Sequence, residues 1–200
     1  MSSEQSQEQH FLDANIKGQL SYGNMYMDKA SIHQYTMHSI LCKYGIPIED
    51  ALEPERCRII LFSKDGDKIA LIKRERECDV TYYSFPGGKI EETDKSPIDA
   101  IKRETKEELN LNENDYLMIE NKVIVGQGVY KRELAGQTFT YYAFLAISNS
   151  NDIKMVGEEL QRDKKERGTY EAVWINLRDL KETNVKDTFL KRIILESLED

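Results

Sequence analysis

A mixed α/β layered domain is the fold class this sequence predicts, and three observations predict it. Short apolar runs rich in β-branched and aromatic residues recur from Arg56 onward, each closed by Gly, Asp or Asn. One segment of helical period, with Ile98, Ile101, Thr105 and Leu109 as its apolar stripe, interrupts those runs. A second, with Val185, Phe189, Leu190, Ile193 and Ile194, closes the chain. Strands, a helix, more strands and a last helix build a mixed sheet covered by helices.

Taken in order, the chain divides into an N-terminal extension, 1–55, and a domain, 56–200. Met1–His10 is polar and rich in Gln and Ser, the composition of a frayed end. Ala30–Leu41 predicts a helix with Ile32, Tyr35, Ser39 and Leu41 facing inward. His33 and His38 stand five apart and do not share a face, so they read as structural or surface residues. Gly45-Ile46-Pro47 and Glu53-Pro54-Glu55 read as turns. The extension, partly disordered or helical, packs on the domain or supports a homodimer; both readings stay open here.

The domain opens with the strand Cys57–Phe62, a hairpin turn at Lys64–Asp67, and the return strand Lys68–Arg74. Thr81–Phe85 is a third strand, delivering the chain to Gly87-Gly88. Ser96-Pro97-Ile98-Asp99 marks a helix start, with Ser as N-cap and Pro at the first position. Lys122–Tyr130, Thr138–Ile147 and Tyr170–Ile175 are later strands, with Gly136 at a turn.

Composition excludes several functional classes. Net charge is −8, from 28 Lys and Arg against 36 Asp and Glu, which argues against a broad nucleic-acid surface while permitting a local basic pocket. An apolar fraction of 40% supports a core, and 32% charged residues with a mean hydropathy of −0.62 mark a water-soluble chain. Cys42, Cys57 and Cys78 are scattered, without a C-x-x-C pair, and read as reduced thiols rather than a zinc site or disulfide frame. With no apolar leader and no apolar run of membrane-spanning length, the expectation is no membrane association and a cytoplasmic location.

Chemistry concentrates in Gly87–Leu111, GGKIEETDKSPIDAIKRETKEELNL. Glu104, Glu107 and Glu108 are spaced so that the first neighbours the other two on the helix surface. Carboxylates this close repel, and a divalent cation reverses the sign of that interaction; hard oxygen ligands suit Mg²⁺ or Mn²⁺. Lys102, Arg103 and Lys106 offer the competing explanation, a solvated helix neutralised by neighbouring charges. The Gly turn just ahead of the helix, and Arg103 adjoining Glu104, favour a site.

These residues resemble the Nudix box, G-x5-E-x7-R-E-U-x-E-E-x-G-U, where U is bulky and apolar. Gly88 fits the first Gly, Arg103-Glu104 and Glu107-Glu108 fit the charged pairs, and Leu111 fits the last apolar position. Asp94 stands in place of the loop Glu, the loop carries one extra residue, Thr105 replaces an apolar residue, and Asn110 replaces the Gly. Asn tolerates the left-handed conformation that ends a helix, so that last change is mild. The resemblance implies a Nudix-type α/β/α sandwich over 56–200 and hydrolysis of a pyrophosphate bond in a nucleoside diphosphate linked to another group.

By position, the resemblance assigns Glu104 and Glu108 as metal ligands. Glu107 is a further ligand, direct or through water, and the Gly87 carbonyl completes the shell. Arg103 is structural, holding a box carboxylate, and Asp94 has no assigned role. The family often recruits an acid from outside the box as general base or extra ligand; Glu158 and Glu159 are the candidates, against an ordinary loop. Arg74 is a candidate for a substrate phosphate and equally a strand-end charge. Tyr83 and Phe85 are candidates to stack on a base, against the commoner role of strand aromatics as core residues. The Pro that ADP-ribose-type members carry beyond the box is absent, as is the coenzyme A-type signature between Leu71 and Arg76. That leaves a nucleoside triphosphate, oxidised or not, or another nucleotide-linked diphosphate as the partner. The alternatives are a non-catalytic nucleotide-binding module and, with no signature to support it, an isomerase of a diphosphate-bearing lipid precursor.

Overall fold

The structure is a computed structural model and describes residues 29–75, 80–130, 136–151 and 169–199. Its helices are α1 (Lys29–Tyr44), α2 (Pro97–Leu109) and α3 (Thr188–Leu198). Its strands are β1 (Gly45–Pro47), β2 (Arg56–Phe62), β3 (Lys68–Glu75), β4 (Tyr82–Ser84), β5 (Tyr116–Met118), β6 (Lys122–Val129), β7 (Thr138–Ser148) and β8 (Thr169–Asn176). They form one sheet in the order β1-β6-β7-β2-β3-β4, with β5 on β7 and β8 on β3. The sheet is mixed because β2 and β7 run parallel while the other pairs are antiparallel.

Both faces of the sheet are covered, which is why β2 reads as a nearly continuous apolar run rather than an alternation. Ile60 and Phe62 point to one face and pack with Ala143, Leu145, Met37, Ile40, Leu190, Ile193 and Ile194 under α1 and α3. Cys57, Ile59 and Leu61 point to the other and pack with Phe144, Ala100, Ile101 and Leu109 of α2. The result is the expected α/β/α sandwich.

The site is positioned by a split between β2 and β3. A tight turn joins them, with Gly66 at φ 71° and Ser63 Oγ donating to Asp65 Oδ1 at 2.7 Å. The two strands pair at Phe62 and Ile69. Farther along β2 the partner is the Gly turn instead: Ile59 N donates to Pro86 O at 2.9 Å and Cys57 N to Gly88 O at 3.0 Å. Ile90 N then donates to Glu55 O at 3.1 Å.

Three expectations need correction. Gly45-Ile46-Pro47 is an edge strand paired with Val123 and its neighbours on β6, not a turn, and β5 was not foreseen. Three residues carry too little periodicity to announce a strand; pairing with β6 recruits β1 and pairing with β7 recruits β5. In α1 the inward residues are Thr36, Met37 and Ile40, while Tyr35 is 46% exposed. The helix runs on to Tyr44, and packing against α3 and β6 selects its buried face. Tyr44 Oη donates to the Glu196 carboxylate and ties α1 to α3. The side chains of Ile32 and His33, and the whole of Cys78, lie outside the described residues; His38 is exposed. Of the two readings of the extension, packing on the domain is the one the fold displays for α1 and β1.

Candidate functional site

Helix α2 begins as its sequence dictates. Ser96 Oγ accepts from Asp99 N at 3.1 Å and donates to Asp99 Oδ2 at 2.9 Å, with Pro97 as the first helical residue. It ends at Asn110, which sits at φ 55° and returns its N–H to Lys106 O at 3.0 Å. Asn110 thus fills the left-handed role of a Gly at a helix end. Thr105 occupies its apolar position by donating Oγ1 to Ile101 O at 2.7 Å, so its hydroxyl enters the core satisfied.

The apolar stripe of Ile98, Ile101, Thr105 and Leu109 leaves the three carboxylates outside it by helical period, yet they do not share one environment. Glu104 and Glu108 are buried, 7% and 5% exposed, while the Glu107 side chain is 43% exposed. The Gly turn causes this, because it folds down on the helix face that carries the first two. Gly87 N donates to Glu108 Oε2 at 2.7 Å. Gly87 has φ +129°, and a Cβ there would overlap the carbonyl oxygen of Cys57. A Cβ at Gly88 would overlap the Glu104 carboxylate. Both glycines are therefore required by close approach, and the first also by its dihedral.

Arg103 organises the acids from beside the turn. Its Nη1 donates to Glu104 Oε1 at 3.1 Å and Glu107 Oε2 at 3.2 Å. Its Nη2 donates to Lys89 O at 3.0 Å. Asp94 grips the same guanidinium bidentately, Nε to Oδ1 at 3.0 Å and Nη2 to Oδ2 at 2.9 Å. The Asp94 side chain is only 5% exposed, and the Arg103 hydrogen bond holds its carboxyl below the usual carboxylate range. Arg103 is shifted the other way, up, chiefly by the same bond. Sequence reasoning left Asp94 without a role. The extra loop residue is absorbed in a local turn, in which Asp94 N donates to Glu91 O at 3.0 Å and Glu91 N to Asp94 Oδ2 at 2.8 Å.

The remaining candidates fall elsewhere. Phe85 is 2% exposed within the core under α1 and α3, which leaves no ring face for a base. Tyr83 is half-buried, and its backbone bonds Asn184 and Lys186. Arg74 stacks 4.2 Å over the Tyr170 ring and donates Nη1 to Tyr170 Oη at 3.0 Å. Glu158 and Glu159 lie outside the described residues. One neighbour of the carboxylates went unnoticed in the sequence. Arg58, half-buried on β2, donates Nη1 to Cys57 O at 3.1 Å. Burial pushes its pKa down, and the Glu108 charge is foremost among the groups pulling it back. The signal was available: Arg56 and Arg58 break an otherwise apolar strand at alternate positions.

The donor set suits a hard divalent cation. Glu104 and Glu108 offer buried carboxylate oxygens one turn apart, and Glu107 a third at the rim. No closed cage of three or more acidic, His or Cys groups exists among the described residues. An open pair is what Mg²⁺ favours, since it keeps waters and substrate phosphates alongside one or two carboxylates.

Comparison with known proteins agrees with this geometry. The NUDIX domain family model matches residues 54–194. A structure of an Ap4A hydrolase from C. elegans, in a binary complex, is 16% identical with a TM-score of 0.52, covering 72% of this chain and 93% of that one. The E. coli dihydroneopterin triphosphate pyrophosphohydrolase is 17% identical with a TM-score of 0.50, covering 72% and 94%. A search of curated proteins finds no match. With the box geometry, the shared fold and a family model spanning most of its length in agreement, the chain belongs to the Nudix hydrolase family.

Proposed function

We propose that this protein is a Mg²⁺- or Mn²⁺-dependent hydrolase of a pyrophosphate bond in a nucleoside triphosphate or modified nucleotide. The observation that carries the reading is the buried Glu104 and Glu108 pair, seated against Gly88 and Gly87. Two buried carboxylates on adjacent turns are costly without a counter-charge. Arg103 shares its charge among Asp94, Glu104 and Glu107, so each of these acids receives only part of it. Glu104, Glu108, Glu107 and the Gly87 carbonyl would hold a divalent cation, which would neutralise the phosphate charge that otherwise repels an attacking water.

The chain's own groups supply the order in the site. The Gly87 N–H fixes the Glu108 carboxylate, and Arg103 fixes Glu104 and Glu107. Asp94 fixes Arg103 in turn, so the acids stand in one arrangement before substrate arrives. Glu158 and Glu159 remain the proposed general base or additional ligand, and Arg74 and Tyr83 proposed substrate contacts.

Purified protein with Mg²⁺ should release phosphate or pyrophosphate from at least one member of a nucleotide panel. Glu108→Gln should cut kcat/KM by roughly 1,000-fold, the loss of several kcal/mol of transition-state stabilisation. Nucleotide binding without turnover of any compound would instead identify a non-catalytic binding module.

A further inference from the structure

Helix α1 covers the sheet face opposite the one that holds α2, so the sheet separates its outer side from the box carboxylates. Thr36, Met37 and Ile40 point inward, and Tyr35, His38 and Cys42 point out. That outer side is unusual for a solvated helix. Charged residues make up 32% of the chain, yet residues 35–42 contain no acidic or basic side chain apart from His38. A helix that meets only water normally carries charges on its outer face. A hollow of about 410 Å³ runs along this side, lined by Tyr35, His38, Ser39, Cys42 and Lys43.

Two metal-binding side chains project from this face. Cys42 Sγ lies 3.3 Å from His38 Nε2, one helical turn away, and both residues are exposed. A tetrahedral zinc ion, with Zn–S about 2.3 Å and Zn–N about 2.0 Å, separates two such donors by about 3.5 Å. The pair is therefore set at the bite of one ion before any ion arrives. Thiolate and imidazole are softer donors than the oxygens of Glu104 and Glu108, so the two places select different metals. No further His, Cys, Asp or Glu joins the pair among the described residues. One chain thus offers two ligands where a closed structural zinc site takes four.

We infer that His38 and Cys42 are half of a zinc site that a second copy of this chain completes, giving two Cys and two His ligands between paired α1 helices. The site is incomplete in one chain, and an isologous pairing brings the same two side chains from the second copy across a two-fold axis. The outer side of α1 fits that contact. Two chains of net charge −8 repel, and on this side they meet without burying carboxylates. Tyr35, exposed two helical turns ahead of Cys42, adds apolar contact area beside the ion. Each Cys42 thiol gives its proton to solvent as the Zn–S bond forms, so the two thiolates neutralise the ion. Because the sheet separates this face from the carboxylates, the zinc site stands whether or not the box hydrolyses a nucleotide.

The test uses the full chain with excess Mg²⁺ to fill the box and a phosphine reductant, which keeps thiols reduced without chelating zinc. Added Zn²⁺ should raise the mass seen by sedimentation from one chain to two, saturating at one ion for every two chains. Co²⁺ in its place should give the thiolate-to-metal absorption band of a tetrahedral sulfur site. Cys42→Ser should abolish that band, and Cys42→Ser and His38→Gln should each weaken zinc-driven pairing at least about tenfold. Both side chains are exposed, so neither change threatens the fold, and melting temperatures without zinc should match the wild type. Zinc pairing or a Co²⁺ band that survives Cys42→Ser would overturn the inference. So would a dimer that forms equally without zinc, or a site saturated at one ion per chain with the mass unchanged.

Discussion

Arg103 and Arg58 both stand near carboxylates of the acidic helix, the first beside Glu104 and Glu107 and the second beside Glu108, yet their surroundings differ. Arg103 is saturated: Asp94, Glu104, Glu107 and the Lys89 carbonyl all accept from it. Arg58 donates to one backbone carbonyl, lies beside the Tyr141 ring and feels the Glu108 and Asp187 charges without a close ion pair among the described residues. A guanidinium whose donors are consumed by its own chain is part of the scaffold. One held over a ring with donors to spare is positioned for something else. The difference teaches that charge near a site does not reveal its role; the fate of each N–H does.

The sharpest way to break this comparison is Arg103→Gln. It strands the enclosed Asp94 and the buried Glu104 without their cation, the situation that typically costs about 3–5 kcal/mol. For a chain this long that lowers the melting temperature by roughly 10 °C, measurable by calorimetry. Arg58→Gln should leave the melting temperature within about 3 °C of wild type. Equal stability losses in the two variants would erase the distinction.

Gly88→Ala comes next. Its Cβ displaces the Glu104 carboxylate but not backbone, so activity should fall at least about tenfold while stability drops by only about 1 kcal/mol. Gly87→Ala meets the Cys57 carbonyl and the positive φ, so it should lose stability as well. Thermal melts beside steady-state kinetics separate the two.

Asp94 sharpens the scaffold side through pH. Its carboxyl titrates below the ordinary value in the folded chain, chiefly through Arg103, so the unfolded chain takes up the proton first as pH falls. Its stabilisation is complete above the free-Asp pKa of about 3.9 and disappears as pH falls through the lowered folded-state value. The stability gap between wild type and Asp94→Asn in urea melts should therefore be constant near neutrality and close below about pH 4. The smallest effect belongs to Asn110→Gly, which relieves a left-handed non-Gly residue but forfeits the exposed Lys106 to Asn110 bond of 3.1 Å. A gain of under about 1 kcal/mol is expected.

Much of the site was legible because it is local. The N-cap at Ser96, the register of Glu104, Glu107 and Glu108, and the Gly turn ahead of them all lie within one short stretch. Helical geometry fixes what that stretch can present. Asp94 was the exception within it. Counting positions argued against a role, since the loop is one residue longer and the acid one methylene shorter, but loop conformation, not count, sets where a carboxylate arrives.

The extension shows the opposite case. Its helix was legible as a helix, but not its buried face, because Thr36, Met37 and Ile40 face inward only once α3 and β6 are in place. The same holds for β1, which becomes a strand by pairing with the free edge of β6. Arg56 with Arg58, Gly126 with Gly128 and Phe139 with Tyr141 each alternate along one strand, but only sheet pairing brings the three pairs together. By itself the sequence determined the alternation of strands and helices and the acidic helix, because period and capping act over a few residues. Which carboxylates are buried, what Asp94 holds, and which arginines keep free donors were decided by tertiary structure, because those depend on pairing register and packing between segments far apart in the chain.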